Sequence, residues 1–270
     1  MGAAGGSARR VPEQILRGFL FWLMLLAVAV VALQVFFAAR IALMAVVDPQ
    51  STAFERSEAW RLVTEKDALR WTQRWIAYDD ISDHLKRAVI ASEDDFFAYH
   101  DGVDWESLEK AWENNSRAEV AQQKSLRLSA NGATGANGAA KNPRARSPKI
   151  VGGSTITQQL AKNLFLSGER TLARKSQEFV LTMMLEAMLS KERILEIYLN
   201  NVEWGEGVFG AEAAARHYFR KPAAKLNAYE SARLAVMLPR PKYFEKLPNS
   251  GYLAERAGVI MGRMPNAELP

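Results

Sequence analysis

The chain has 270 residues, 49% hydrophobic and 24% charged, which is long enough for one or two domains with a true core and too apolar for wholesale disorder. It contains no cysteine, which excludes disulfides and thiolate metal sites. The net charge of +5 is concentrated: residues 117–149 hold seven Lys or Arg and one acid, the rest of the chain sits at −1, and nucleic-acid binding by the whole protein is not expected.

Residues 1–17 are small and polar, with Arg9, Arg10 and Arg17 against a single Glu13. Residues 18–39 then run 22 positions without a formal charge, with Gln34 as the one strongly polar side chain. At ~1.5 Å per residue this spans a hydrocarbon layer ~30 Å thick. The preceding arginines place the N-terminus in the cytoplasm. A cleaved signal peptide would carry a shorter apolar core of ~7–15 residues, so an uncleaved anchor is expected, with a buried soluble helix as the weakest alternative.

Residues 48–80 read as a juxtamembrane connector or small lobe, opened by the helix-breaking Asp48-Pro49-Gln50-Ser51. Trp60, Trp71 and Trp75 lie among charges there, suited either to a membrane interface or to packing inside the lobe. A globular domain is expected over residues 81–245. Its first helix, 81–99, carries Glu93-Asp94-Asp95-Phe96-Phe97, followed by His100 and Gly102. A charge run at a helix end is ordinarily a solvated face. Against Phe96 and Phe97, however, Glu93 can be partly desolvated, which raises its pKa toward the range of a general base. A further helix is expected over 104–114, with Trp105, Leu108 and Trp112 on one side.

Residues 116–150 lose all periodicity and read as a flexible basic insertion. It suits anionic lipid headgroups or is a tolerated surface loop. Order returns with Gly152-Gly153-Ser154-Thr155-Ile156-Thr157-Gln158-Gln159, leading to Lys162. Ser154 or Thr155 can cap the following helix, whose free N–H groups suit a phosphate, although Gly-Gly-Ser-Thr alone is common turn-and-cap chemistry. Arg174 and Glu178 are four apart and share a helix face, with Lys175 beside Arg174. They are either an exposed ion-pair group of little energetic weight or two cations and a second carboxylate at a cleft. Glu186 among methionines and leucines needs a partner and reads as structural. Lys191–Asn201 suits a packed helix, Gly205, Gly207 and Gly210 a turn, and 211–219 and 229–238 two more helices. Residues 246–270 read as a peripheral tail. No stretch alternates with period two, so the fold is expected to be mainly α.

Four of these segments, taken in order, resemble the motifs of the family-51 glycosyltransferases: Glu-Asp-x-x-Phe-x-x-His-x-Gly at 93–102, Gly-Gly-Ser-Thr-Ile-Thr-Gln-Gln at 152–159, Arg-Lys-x-x-Glu at 174–178, and Lys-x-x-Ile-Leu-Glu-x-Tyr-Leu-Asn at 191–200 with the glycine turn after it. The resemblance covers residues 80 to about 240. Because the chain ends soon afterwards, it implies the monofunctional form, with no room for a transpeptidase domain. It implies a mainly α, lysozyme-like, two-lobed transglycosylase domain behind one transmembrane helix. It also implies polymerisation of lipid II into β-1,4 glycan by inverting transfer, with undecaprenyl pyrophosphate released. Glu93 would take the proton from the acceptor 4-hydroxyl, and Glu178 would assist the leaving pyrophosphate or hold a divalent cation such as Mg2+, no cofactor being obligatory. Asp94, Ser154, Thr155, Gln158, Lys162, Arg174 and Lys175 would bind substrate. Implied partners are lipid II, the growing lipid-linked glycan, membrane lipids and cell-wall synthesis proteins. The implied location is the bacterial inner membrane, with the catalytic domain periplasmic. The long insertion and Phe209, where the family often has Tyr, depart from the pattern. A membrane-anchored lytic muramidase is the alternative enzyme, since paired carboxylates also serve hydrolysis, but it leaves the phosphate-binding segments without a purpose. A non-catalytic cell-wall scaffold is the other alternative.

Overall fold

A computed structural model describes residues 10–66, 70–106, 108, 109, 113, 116, 117, 153–166, 168, 169 and 171–270. The helix expected over 104–114 lies partly, and the basic insertion almost wholly, outside the described residues. The described chain forms two units that part between Asp48 and Pro49.

The first unit is α1 (Arg10–Leu43). Its segment Ile15–Leu43 is long and apolar enough to cross a membrane. Large side chains such as Phe19, Trp22, Leu26 and Val31 are exposed along it, which rules out the core helix of a soluble domain as its setting. The helix runs past the expected end at residue 39, because a single Arg40 is a good helix former and is no stop signal.

The second unit is mainly helical. It comprises α2 (Ala53–Lys66), α3 (Asp83–Glu93), α4 (Ile156–Phe165), α5 (Leu172–Met188), α6 (Lys191–Asn201), α7 (Ala211–Phe219), α8 (Ala228–Met237), the short α9 (Pro241–Phe244) and α10 (Gly251–Arg263). Side-chain caps define most of the starts. Ser82, Thr155, Thr171, Ser190, Asn227 and Ser250 each accept the backbone N–H of the second or third residue of the helix that follows. The core gathers Leu85, Ile90, Phe97, Ile156, Leu160, Leu164, Leu181, Tyr198 and Trp204. α3 packs against α8 and α10, and α4 packs against α2, α5 and α6. The segment read as a peripheral tail is therefore part of the fold: α10 lies on α3 and α8, and the Arg87 guanidinium donates to the Ala267 carbonyl.

Three short strands, β1 (Thr72–Gln73), β2 (Glu203–Gly205) and β3 (Val208–Phe209), form a sheet of order β1-β3-β2. β1 runs parallel to β3, with Thr72 opposite Val208, and β2 runs antiparallel to β3, with Glu203 opposite Phe209. Gly207 makes this possible. Its φ is +74°, and a Cβ there would lie 1.9 Å from the Arg70 carbonyl oxygen. Asn200 straps the connector to α6, accepting from the Ile76 N–H and donating to the Ile76 carbonyl, both at 3.0 Å. Trp71 stacks on Phe209 at 4.4 Å and Trp75 lies under the Arg193 guanidinium at 5.4 Å, whereas Trp60 is exposed. Packing inside the lobe thus accounts for two of the three tryptophans.

Candidate active site

Glu93 is the last residue of α3, a helix anchored by Leu85, Ala88 and Val89 and capped by Ser82. Its carboxyl is half-buried. Oε2 accepts from the Gln159 amide at 3.0 Å, and Oε1 accepts from the Ser92 hydroxyl at 3.4 Å. Gln159 in turn accepts from the Tyr198 hydroxyl at 3.0 Å. Burial drives the Glu93 pKa above the ordinary glutamate value of 4.5. The Gln159 and Ser92 bonds and the Lys162 charge oppose this, and Asp94 reinforces it. Burial, with Glu93 and Asp94 nearby, keeps Tyr198 a phenol far above neutral pH, so it is a fixed donor to Gln159. Phe96 lines the same cavity as Glu93, while Phe97 is buried beneath the Lys191 ammonium, 4.7 Å from the ring centre.

The loop after Glu93 is stitched to the start of α4. Asp94 is buried, and its Oδ2 accepts the Ile156 N–H at 2.9 Å. Its Oδ1 accepts from His100 Nε2 at 2.7 Å. His100 Nδ1 accepts the Gly102 N–H at 3.1 Å, so the ring proton sits on Nε2. Thr155 donates to the Gly102 carbonyl at 2.6 Å and forms a capping box with Gln158. Thr157 donates to Glu186 Oε1 at 2.6 Å, and Lys191 reaches both that oxygen, at 2.8 Å, and the His100 carbonyl, at 2.5 Å. Glu186 therefore has the partner that its apolar setting requires. Gly102 has φ +83°, and a Cβ there would lie 2.7 Å from Thr182 Cγ2 and 2.8 Å from Glu186 Cγ. Gly102→Ala is expected to destabilise the protein by about 1–3 kcal/mol, read as a lower midpoint of urea unfolding.

The second carboxylate, Glu178, is buried on α5 between two cations. The Arg174 guanidinium donates to Oε2 at 2.6 Å and the Lys175 ammonium to Oε1. Lys162 on α4 opens to the same cleft, and no carboxylate lies within 4 Å of it among the described residues. Desolvation lowers its pKa from 10.5, as do Arg174 and Lys175, while Glu178 and Glu93 hold it up. Ser154, Gln158, Gln159, Lys162, Arg174, Lys175 and Glu178 line a cleft of about 500 Å³. Glu93, Asp94 and Asp95 line a smaller cavity of about 190 Å³, and Ser154 belongs to both walls.

The expected residues thus gather at two adjoining cavities, but in two manners. Glu93, Ser154, Lys162, Arg174 and Lys175 present side chains to the cavities. Asp94, Thr155 and Gln158 line them too, yet their polar atoms hold the loop and the α4 cap together. The donor set does not fit a divalent cation at Glu178, because both its oxygens are occupied by Arg174 and Lys175. Among the described residues, no group of three or more His, Asp or Glu is arranged for a metal. Two site residues were not expected from the sequence. Gln159 sits inside a quoted motif, where its spacing from Gln158 turns it to a different face. Arg263, from the tail helix, lines the Glu93 cavity 3.9 Å from Asp95. Nothing in its local sequence signals this, because the contact is made across the fold.

A protein-family model described as Transglycosylase matches residues 62–125 and 133–265. A protein of Burkholderia thailandensis called biosynthetic peptidoglycan transglycosylase is 49% identical over 265 residues, covering 98% of this chain and 93% of the relative. One of the same name from Burkholderia pseudomallei is 50% identical, covering 94% and 90%. A third, from Burkholderia orbicola, is 46% identical over 270 residues, covering 100% and 99%.

Proposed function

The chain belongs to the transglycosylase family, and from that premise we propose that it is a peptidoglycan glycosyltransferase, polymerising lipid II into β-1,4 glycan by inverting transfer and releasing undecaprenyl pyrophosphate. The mainly helical architecture is the lysozyme-like fold of that family. The observation that carries the reading is the pairing of two sites across Ser154: a desolvated carboxylate held by Gln159 on one side, and a cluster of three cations on the other.

The acceptor 4-hydroxyl lies against Glu93 and passes its proton to the carboxylate as the oxygen attacks the anomeric carbon of the donor. The bond from that carbon to the pyrophosphate breaks, and both electrons leave with the phosphate oxygen. Lys162, Arg174 and Lys175 receive the charge that develops there. Glu178 fixes Arg174 and Lys175 in place, acting through them. A hydrolase has no such anion to stabilise. The N-terminal helix anchors the enzyme beside its lipid-linked substrates in the bacterial inner membrane. Its flanking arginines support a cytoplasmic N-terminus and a periplasmic catalytic unit.

The test is stoichiometry. One undecaprenyl pyrophosphate is expected per disaccharide added. Sugar release from finished glycan without any lipid pyrophosphate would overturn the reading. The pH profile of kcat/KM is expected to be bell-shaped. Activity should rise as Glu93 ionises, with a midpoint above 4.5, and fall as Lys162 loses its proton, with a midpoint below 10.5.

A further inference from the structure

The wall of the large cleft contains a carboxylate that the mechanism does not use. Glu203, on β2, lines the cleft with Phe54, Val202, Leu238 and Pro241. Four glutamates are buried among the described residues: Glu55, Glu178, Glu203 and Glu212. Three of them are fully satisfied by the protein. Glu55 accepts from the Thr52 N–H at 2.8 Å and from Gln73 at 2.9 Å. Glu178 holds its two cations, and Glu212 accepts from Arg216 and from the Ala223 N–H, both at 2.7 Å. Glu203 is the exception. Among the described residues its Oε1 has no well-directed hydrogen bond, only the Lys242 ammonium as an ion pair at 3.2 Å. That ammonium is shared with Glu58, which it approaches to 2.5 Å.

A carboxylate kept only to staple α9 to the sheet would be expected to have its oxygens satisfied, as the other three do. The groups that set its charge are Lys242, Glu58 and Arg61, none of them from the cationic cluster of Lys162, Arg174 and Lys175. The cleft therefore has two chemically different walls. One is cationic and suits a diphosphate. The other joins an aromatic ring and aliphatic side chains to an under-satisfied acceptor, which suits a sugar ring with its hydroxyl and amide donors. We propose that Glu203 is a substrate-binding residue whose carboxyl accepts hydrogen bonds from the sugar chain that extends from the diphosphate along the cleft, an assignment that rests on the glycosyltransferase reading. Burial raises the pKa of this carboxyl to about 7, as does Glu58, against the pull of Lys242. A sugar donor would favour the ionised form.

The test uses two soluble probes on the full-length protein in detergent: a lipid-free peptidoglycan tetrasaccharide and inorganic pyrophosphate. Glu203→Gln and the volume-conserving Glu203→Leu are compared with the wild type, with melting curves confirming the fold of each. The expected result for Glu203→Leu is roughly 10-fold to 100-fold weaker tetrasaccharide binding, as for a lost bond to a charged group. A smaller loss is expected for Glu203→Gln, with pyrophosphate binding unchanged in both. In lipid II polymerisation the same loss should fall on KM, with kcat held. Unchanged tetrasaccharide binding in either folded variant would overturn the proposal, and so would equal weakening of both probes, which would mark a collapsed cleft. Failure of the wild type to polymerise lipid II would count against the functional reading alone, since the comparison of the two probes reads the sugar wall without turnover.

Discussion

Glu93→Gln is expected to lower glycan polymerisation by roughly 10²–10⁴-fold, the usual contribution of a positioned general base, while leaving the fold intact. Glutamine keeps the shape and can still face Gln159, but it cannot take a proton from the acceptor hydroxyl. The same substitution has a stability signature. The Glu93 pKa is raised by burial, so the folded state disfavours the ionised form. The stability that this group contributes is fully present below 4.5 and is lost as pH rises through the raised value. The variant should therefore gain in melting temperature relative to wild type as pH increases through that range. A variant both less stable at pH 8 and inactive would point instead to a structural carboxylate.

Arg174→Met is expected to cost roughly 10²–10³-fold in kcat, the scale seen when one donor to a developing charge is removed. The guanidinium is partly buried, held by Glu178 at 2.6 Å, and lines the cleft beside Lys175 and Lys162. Lipid II affinity should fall less than turnover, because the full charge appears on the pyrophosphate only as the bond breaks. Pyrophosphate inhibition should weaken in parallel. An exposed ion pair of no catalytic consequence would leave both unchanged, and steady-state kinetics with pyrophosphate as inhibitor separates the two.

Much of this site was legible because its chemistry is carried by local spacing. Arg174, Lys175 and Glu178 meet on one turn of a helix, and Thr155 caps the helix whose third residue completes the box. The anchor was equally plain from uninterrupted hydrophobicity, although its end was not, since Arg40 continues a helix that the charge pattern alone would stop. What the chain hid are contacts across the fold. Asp94 was expected among the substrate-binding residues, and its oxygens tie α4 and His100 to the loop. Arg263 sits in a segment with no motif, and Glu203 falls between the fourth motif and its glycine turn; they enter the cavities because α10 packs on α3 and β2 pairs with β3. Gly102 was read as one letter of a motif. Its positive φ and the close approach of Thr182 and Glu186 show the physical reason that no side chain fits there.

The most direct test of the account is incubation of purified full-length protein with labelled lipid II and, in parallel, with finished glycan, each with Glu93→Gln alongside. Polymer from the wild type, none from the variant, and finished glycan left whole are the predicted results. Cleavage of finished glycan by the wild type with no polymer from lipid II would contradict the account and assign the same carboxylate to hydrolysis.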